Sequence, residues 1–219
     1  AFLLVYFFIK EPEIRKEEAK TSADEFFKIL KDINLFRMNF GIFVLHATQI
    51  SMFMIIPIYL VNQGGINLSD HWQIYLPILF FSFLLMIPII IFSEKFNKIK
   101  IAFLSSIIIL FLAQLVFIIF GHSLVGIILA LLIYFVGFNF LEASLPSLVS
   151  KIAPINKKGL ALGVYNTSQS LGIFVGGALG GLITNVYGYN ASFIFCIALI
   201  FLWFVLSLGM QVANYKKAN

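Results

Sequence analysis

Glu142 is the single acidic side chain inside any of the long apolar stretches of this 219-residue chain, in the run Gly137-Phe-Asn-Phe-Leu-Glu-Ala-Ser-Leu-Pro146. A carboxyl group in apolar surroundings can take up and release a proton or meet a cation, because keeping it charged in hydrocarbon costs at least about 2.5 kcal/mol. The same group has a structural reading, as a carboxylate that snorkels to an interface or pairs with a loop lysine such as Lys151 or Lys158. It lies 18 residues beyond Leu124. At the usual helical rise that is about 27 Å along the axis, toward the end that carries those lysines.

Asn39, His46, Gln49 and Phe53 are separated by seven, three and four residues, which puts them along one helix face. An imidazole titrates near neutral pH, so His46 has the chemistry to bind a solute or relay a proton. Hydrogen bonding between helices is the competing reading for His46 and Gln49. Asn139, Asn166 and Gln169 carry the same two readings. No metal cluster is spelled out: His71 and His122 fall in separate connections, and Cys196 is the only cysteine. No motif asks for a cofactor.

The elements that must hold these residues follow from composition. Apolar residues make up 61% of the chain and charged ones 11%, with 26 phenylalanines and a net charge of +5, and the mean hydropathy is +1.00. Soluble domains carry about 25% charged residues, so the solvent for most of this surface is lipid, and a nucleic-acid-binding or disordered chain is excluded. A spanning helix needs roughly 20 apolar residues. Stretches at 34–61, 73–92, 101–120, 124–149, 159–184 and 191–212 meet that length, which predicts an all-α membrane protein built as a six-transmembrane-helix bundle. Residues 1–9 are apolar but too short to cross, and read as the end of a preceding transmembrane helix. Residues 10–33 are the polar segment, with six basic and seven acidic side chains up to Asp32. Ser22 with Glu25 has capping-box spacing, and Phe26, Phe27, Leu30 and Ile33 follow at helical intervals, so a cytoplasmic amphipathic linker on the membrane face is expected, with a plain solvated connector as the alternative.

All 15 Lys and Arg residues fall in residues 10–37, in the second and fourth of the five connections (Lys95, Lys98, Lys100; Lys151, Lys157, Lys158), or in the tail at 213–219. The remaining connections have none, so the positive-inside rule puts both ends in the cytoplasm. The fifth stretch carries Gly172, Gly176 and Gly180 at intervals of four, overlapped by Gly177 and Gly181. Such spacing strips a helix face bare so that another backbone approaches closely. Pro57, Pro77, Pro88 and Pro146 are expected to mark bends in the first, second and fourth stretches.

Phe138-Asn-Phe-Leu-Glu-Ala-Ser-Leu-Pro-Ser-Leu-Val-Ser-Lys151, Lys158-Gly-Leu-Ala-Leu-Gly-Val-Tyr-Asn-Thr-Ser-Gln-Ser-Leu-Gly172 and Gly176-Gly-Ala-Leu-Gly-Gly181 together resemble the C-terminal half of a major facilitator superfamily transporter. The likeness is closest to the YajR-like branch of drug:proton antiporters, and His71-Trp72 fits it too. The resemblance implies a twelve-helix fold whose N-terminal six-helix half is missing here, in a bacterial inner membrane. It implies alternating access, with proton entry driving export of a small lipophilic solute. Glu142 would then couple to protons, and His46, Gln49, Tyr134 and Asn139 would face the central path. In the connection Ser93-Glu-Lys-Phe-Asn-Lys-Ile-Lys100 the family's glycines are absent, while Glu94, Lys95 and Lys98 keep the charges of its inner-gate loop.

Two other functions compete. An intramembrane enzyme needs a nucleophile with its base, paired aspartates or His-Glu-x-x-His, and none is present. A membrane subunit that folds without translocating a solute remains the alternative to a transporter.

Overall fold

The computed structural model describes residues 23–211, with side chains from residue 26 onward. The expectations for 1–9, for Ser22 with Glu25, for the rest of 10–22 and for the tail at 213–219 lie outside the described residues. Within them the chain is helical, with no strand: α1 (Ala23–Lys31), α2 (Ile33–Phe53), α3 (Ile56–Asn62), α4 (Trp72–Lys95), α5 (Ile99–Phe120), α6 (Leu124–Ile152), α7 (Lys158–Tyr187) and α8 (Tyr189–Leu208). Six spans are long and apolar enough to cross a membrane, α2 and α3 together forming the first.

Local chemistry sets where these helices start and stop. Asp32 caps α2, its Oδ1 accepting from the backbone N–H groups of Asn34 and Leu35 at 2.8 and 3.0 Å. The first span breaks after Phe53 because Pro57 cannot donate to the Phe53 carbonyl and its ring crowds that turn. The chain tightens there instead, with the Ile55 N–H donating to the Met52 carbonyl. The other three prolines do not interrupt anything: Pro77 and Pro88 lie inside α4, and Pro146 inside α6. Pro146 still removes one helical donor, so the Glu142 carbonyl four residues earlier loses its regular helical partner.

Packing divides the helices into an inner pair and an outer set. In the spans built on α2 and on α6, 61% of the most apolar window is buried, against 11% for α4 and 17% for α7. The helix α7 runs along α2, α4 lies on α6, and α5 and α8 close the other side. There Phe103 meets Trp203 edge-on and Phe117 stacks on Phe193 with ring centroids 5.2 Å apart. Phe80, Phe81, Leu84 and Leu85 on α4 and Phe174 and Leu182 on α7 stay exposed, surface that only lipid or another apolar bundle can cover.

The glycines of α7 explain its close approach to α2. A Cβ at Gly172 would meet the backbone of Phe43, at Gly176 the backbone of Ala47, and at Gly180 the side chain of Ser51. Gly177 has only ordinary contact with Ile50, and Gly181 faces the flexible end of Met54. One row of the overlapping pattern is therefore sterically required and the other is not.

Loops bearing Lys95, Lys98, Lys151, Lys157 and Lys158 share one end of the bundle with the start of α2, here termed the basic end. There Arg37 ties α2 to the end of α8. Its Nε donates to the Leu206 carbonyl at 2.9 Å and its Nη1 to Asn34 Oδ1 at 2.9 Å, while Gly209 leaves room for the guanidinium. A cation on the last carbonyls of a helix satisfies orphan acceptors and the helix dipole together. Arg37→Met is expected to destabilise the folded bundle by about 1 kcal/mol, measured as a lowered midpoint of thermal unfolding in detergent.

Candidate functional site

Glu142 on α6 meets His46 on α2, with Oε2 3.2 Å from Nε2. Gln169 on α7 places its amide nitrogen 2.7 Å from the same Nε2, and Gln49, one turn along α2, faces Nδ1 with its carbonyl oxygen at 3.1 Å. Three helices thus converge on one imidazole. The loop lysines named as alternative partners for Glu142 lie elsewhere: Lys151 and Lys158 sit at the ends of α6 and α7.

Depth follows from the same contact. His46 is 13 residues from the start of α2 and Glu142 is 10 residues from the end of α6, so both stand about 15 to 20 Å from the basic end. Half of a hydrocarbon layer is about 15 Å. Glu142 is therefore at the level of His46, deeper than the count from Leu124 placed it, because α6 continues ten residues beyond it, and a 29-residue helix overhangs the layer. Its side chain is 38% exposed against 10% for His46, so the carboxyl borders open space while the imidazole is packed. Phe138 meets the His46 ring edge-on with centroids 5.8 Å apart.

The other candidates separate into distinct places. Tyr134 is fully buried among packed side chains, its hydroxyl near Thr48 Oγ1 at 3.4 Å and the Leu45 carbonyl at 3.5 Å. Asn139 is buried and donates to Ser82 Oγ at 2.9 Å, crossing from α6 to α4. Phe53 belongs to an aromatic group nearer the opposite end, stacked on Tyr75 and edge-on to Phe135. Asn166 is exposed on α7 beside Thr167 and Ser170. Glu94, Lys95 and Lys98 are exposed at the basic end, far along the chain from the His46 group, and Lys95 lies over the Phe96 ring at 5.7 Å. The described residues hold no group of three metal-ligating side chains.

Tyr165, one turn before Gln169, was not among the candidates. It is buried with an unpartnered hydroxyl; the signal for it was its four-residue spacing from Gln169. Ser82 and Thr48 were likewise missed, since a lone hydroxyl in an apolar helix is usually satisfied by its own backbone. Replacing Asn139 by Leu removes one hydrogen bond between helices and is expected to cost about 0.6 kcal/mol, the average for such bonds in membranes, detected as a small drop in unfolding midpoint.

Comparison with known proteins adds to this geometry. The Major Facilitator Superfamily profile matches residues 1–177 and, in a second overlapping match, 147–218. The Escherichia coli (strain K12) inner membrane transport protein YajR is 34% identical over 205 residues, 94% of this chain and 45% of that protein. An uncharacterized transporter of Buchnera aphidicola subsp. Baizongia pistaciae is 33% identical over 86% of this chain and 48% of its own length. A shorter match, 27% identical over 73 residues, joins the chain to the multidrug resistance protein MdtG of Proteus mirabilis, covering 33% of this chain and 18% of that protein. The chain spans about half the length of the first two relatives. With six membrane-length helices and a profile match over most of its length, the chain belongs to the Major Facilitator Superfamily, a family of transporters rather than enzymes.

Proposed function

We propose that this chain, as the C-terminal half of a twelve-helix transporter, exports a small lipophilic or drug-like solute in exchange for protons by alternating access. The observation that supports this best is the His46–Glu142 pair at mid-depth, where α2, α6 and α7 converge and the carboxyl borders open space. Intramembrane titratable pairs of this kind are the usual parts of proton-coupled transport. Gln49, Asn166 and Gln169 are the polar groups available to a solute at or near this level, and Phe53 lies on the aromatic side of the path, whereas the buried Tyr134 and Asn139 hold the helices around it instead of facing it. The exposed faces of α4 and α7 suit the N-terminal half, against which this bundle would rock. Glu94, Lys95 and Lys98 would act at the inner gate, with the basic end and both termini in the cytoplasm of an inner membrane.

The test is proton flux in vesicles containing the full-length transporter, with its N-terminal half, using ethidium as the transported probe. Coupled exchange that depends on Glu142 supports the reading. No flux from the unaltered protein, with ethidium or with any of a panel of lipophilic probes, would overturn it in favour of a membrane subunit that folds without translocating.

A further inference from the structure

His46 has one nitrogen facing two partners. Gln49 offers Nδ1 only a carbonyl oxygen, which can only accept, so Nδ1 carries a hydrogen. Nε2 then bears either a lone pair or a proton, and it faces both the Gln169 amide nitrogen at 2.7 Å and Glu142 Oε2 at 3.2 Å. With the lone pair, Nε2 accepts from the Gln169 amide and Glu142 is an anion. With the proton, Nε2 donates to Glu142, and an amide N–H pointing at it is repelled. If the proton rests on Glu142 instead, the carboxyl O–H competes with Gln169 for the same single lone pair. A proton on Nε2 excludes the Gln169 bond, and a proton on Glu142 weakens it by competition for the lone pair.

We propose that Gln169 reads the proton on the His46–Glu142 pair, tying α7 to α2 when the pair is deprotonated and releasing it when the pair is protonated. This deepens the exporter reading and rests on it only for its place in the cycle. The proton passes between the pair and water in the path; the pair changes from neutral to a charge of −1, and no bond between heavy atoms is made or broken.

The position of the bond gives the release a consequence. Among the described residues, two hydrogen bonds join α2 to α7: the one at Gln169, and Ser51 Oγ donating to the Gly176 carbonyl at 2.9 Å. The second lies within the glycine contact and involves no titratable group. On the basic-end side of Gln169, Tyr165 on α7 and Asn39 on α2 are buried with the Tyr165 hydroxyl and Asn39 Oδ1 unpartnered, so no hydrogen bond there replaces the lost tie. Proton uptake therefore frees the segment from Lys158 to Gln169 to part from α2, with the glycine contact as pivot.

Among the described residues, no other group near this level competes for the titration. Tyr134 on α6, Tyr165 on α7 and Cys196 on α8 are neutral in the acid-to-neutral range. The titratable side chains of α4, Tyr75, Glu94 and Lys95, lie toward its two ends, and Arg37 is held on Leu206. By linkage, a bond made only to the deprotonated pair lowers the proton affinity of that pair, and its removal raises it.

The experiment uses the full-length transporter in lipid nanodiscs without solute, spin-labelled at Phe36→Cys on α2 and Gly163→Cys on α7, with Cys196→Ala. The distance between labels is expected to lengthen on the acid side of the transition. In Gln169→Leu it is expected to lose its pH dependence, while Ser170→Ala on the same helix keeps it. Nitrogen NMR of histidine-labelled protein is expected to show the His46 transition of Gln169→Leu at roughly 0.5 to 1 pH unit higher, the equivalent of one hydrogen bond. An unaltered protein with no pH-dependent distance, or Gln169→Leu with an unchanged response, overturns the proposal. Neither readout needs transport. A switch without flux sinks the exporter reading alone, and flux with no switch sinks this inference alone.

Discussion

Glu142→Gln is expected to abolish proton-coupled exchange while leaving the bundle folded. The substitution keeps the shape of the side chain and supplies an N–H to His46 Nε2, 3.2 Å from the present oxygen, but it cannot release a proton. Loss of a positioned proton-transfer group typically costs about 100-fold or more in rate, so proton movement driven by ethidium in vesicles should fall to background. Stability should change by no more than about 1 kcal/mol, because one hydrogen bond is exchanged for another. Glu142→Asp supplies the contrast: it keeps the titratable group but shortens its reach to His46, so partial exchange is expected. Full exchange by Glu142→Gln would remove the carboxyl from the mechanism.

The largest structural effect is expected from Gly176→Leu. A Cβ at Gly176 already runs into the Ala47 backbone, and a backbone has no alternative rotamer. The two helices must separate along their contact, which loses dispersion over its whole length and misplaces the Gln169 bond to His46. Overpacking of this kind costs typically about 1 to 3 kcal/mol, enough to lower the unfolding midpoint in detergent markedly and to reduce the yield of folded protein. Gly177→Ala, one residue away and meeting only Ile50 Cγ2 at 3.6 Å, should be near neutral. Equal damage from both would show that α7 does not pack on α2 through the Gly172–Gly176–Gly180 row.

Much of the architecture was legible before any coordinates, and for a single reason. A bilayer is an anisotropic solvent of known thickness, so helix count and lateral character can be read from run length and charge without knowing one tertiary contact. Glu142 could be singled out in the same way, since its charge conflicts with its surroundings whatever it touches. The prolines show where such reading stops. Pro57 breaks its span, whereas Pro77, Pro88 and Pro146 are absorbed within continuous helices, because the freed carbonyls are tolerated or not according to neighbours that a linear pattern does not contain.

The sequence by itself determined that the chain lives in lipid, that it is helical, and that Glu142, His46 and Gln169 are among its costly polar groups, with Asn39, Gln49, Asn139 and Asn166. Only the tertiary structure decided that these three meet, that Tyr134 turns into the packing instead, and that one row of α7 glycines is required while its neighbour is not. Helical periodicity specifies a face but not what that face touches. His46 lies 96 residues from Glu142 and 123 from Gln169 along the chain, and only packing brings them together.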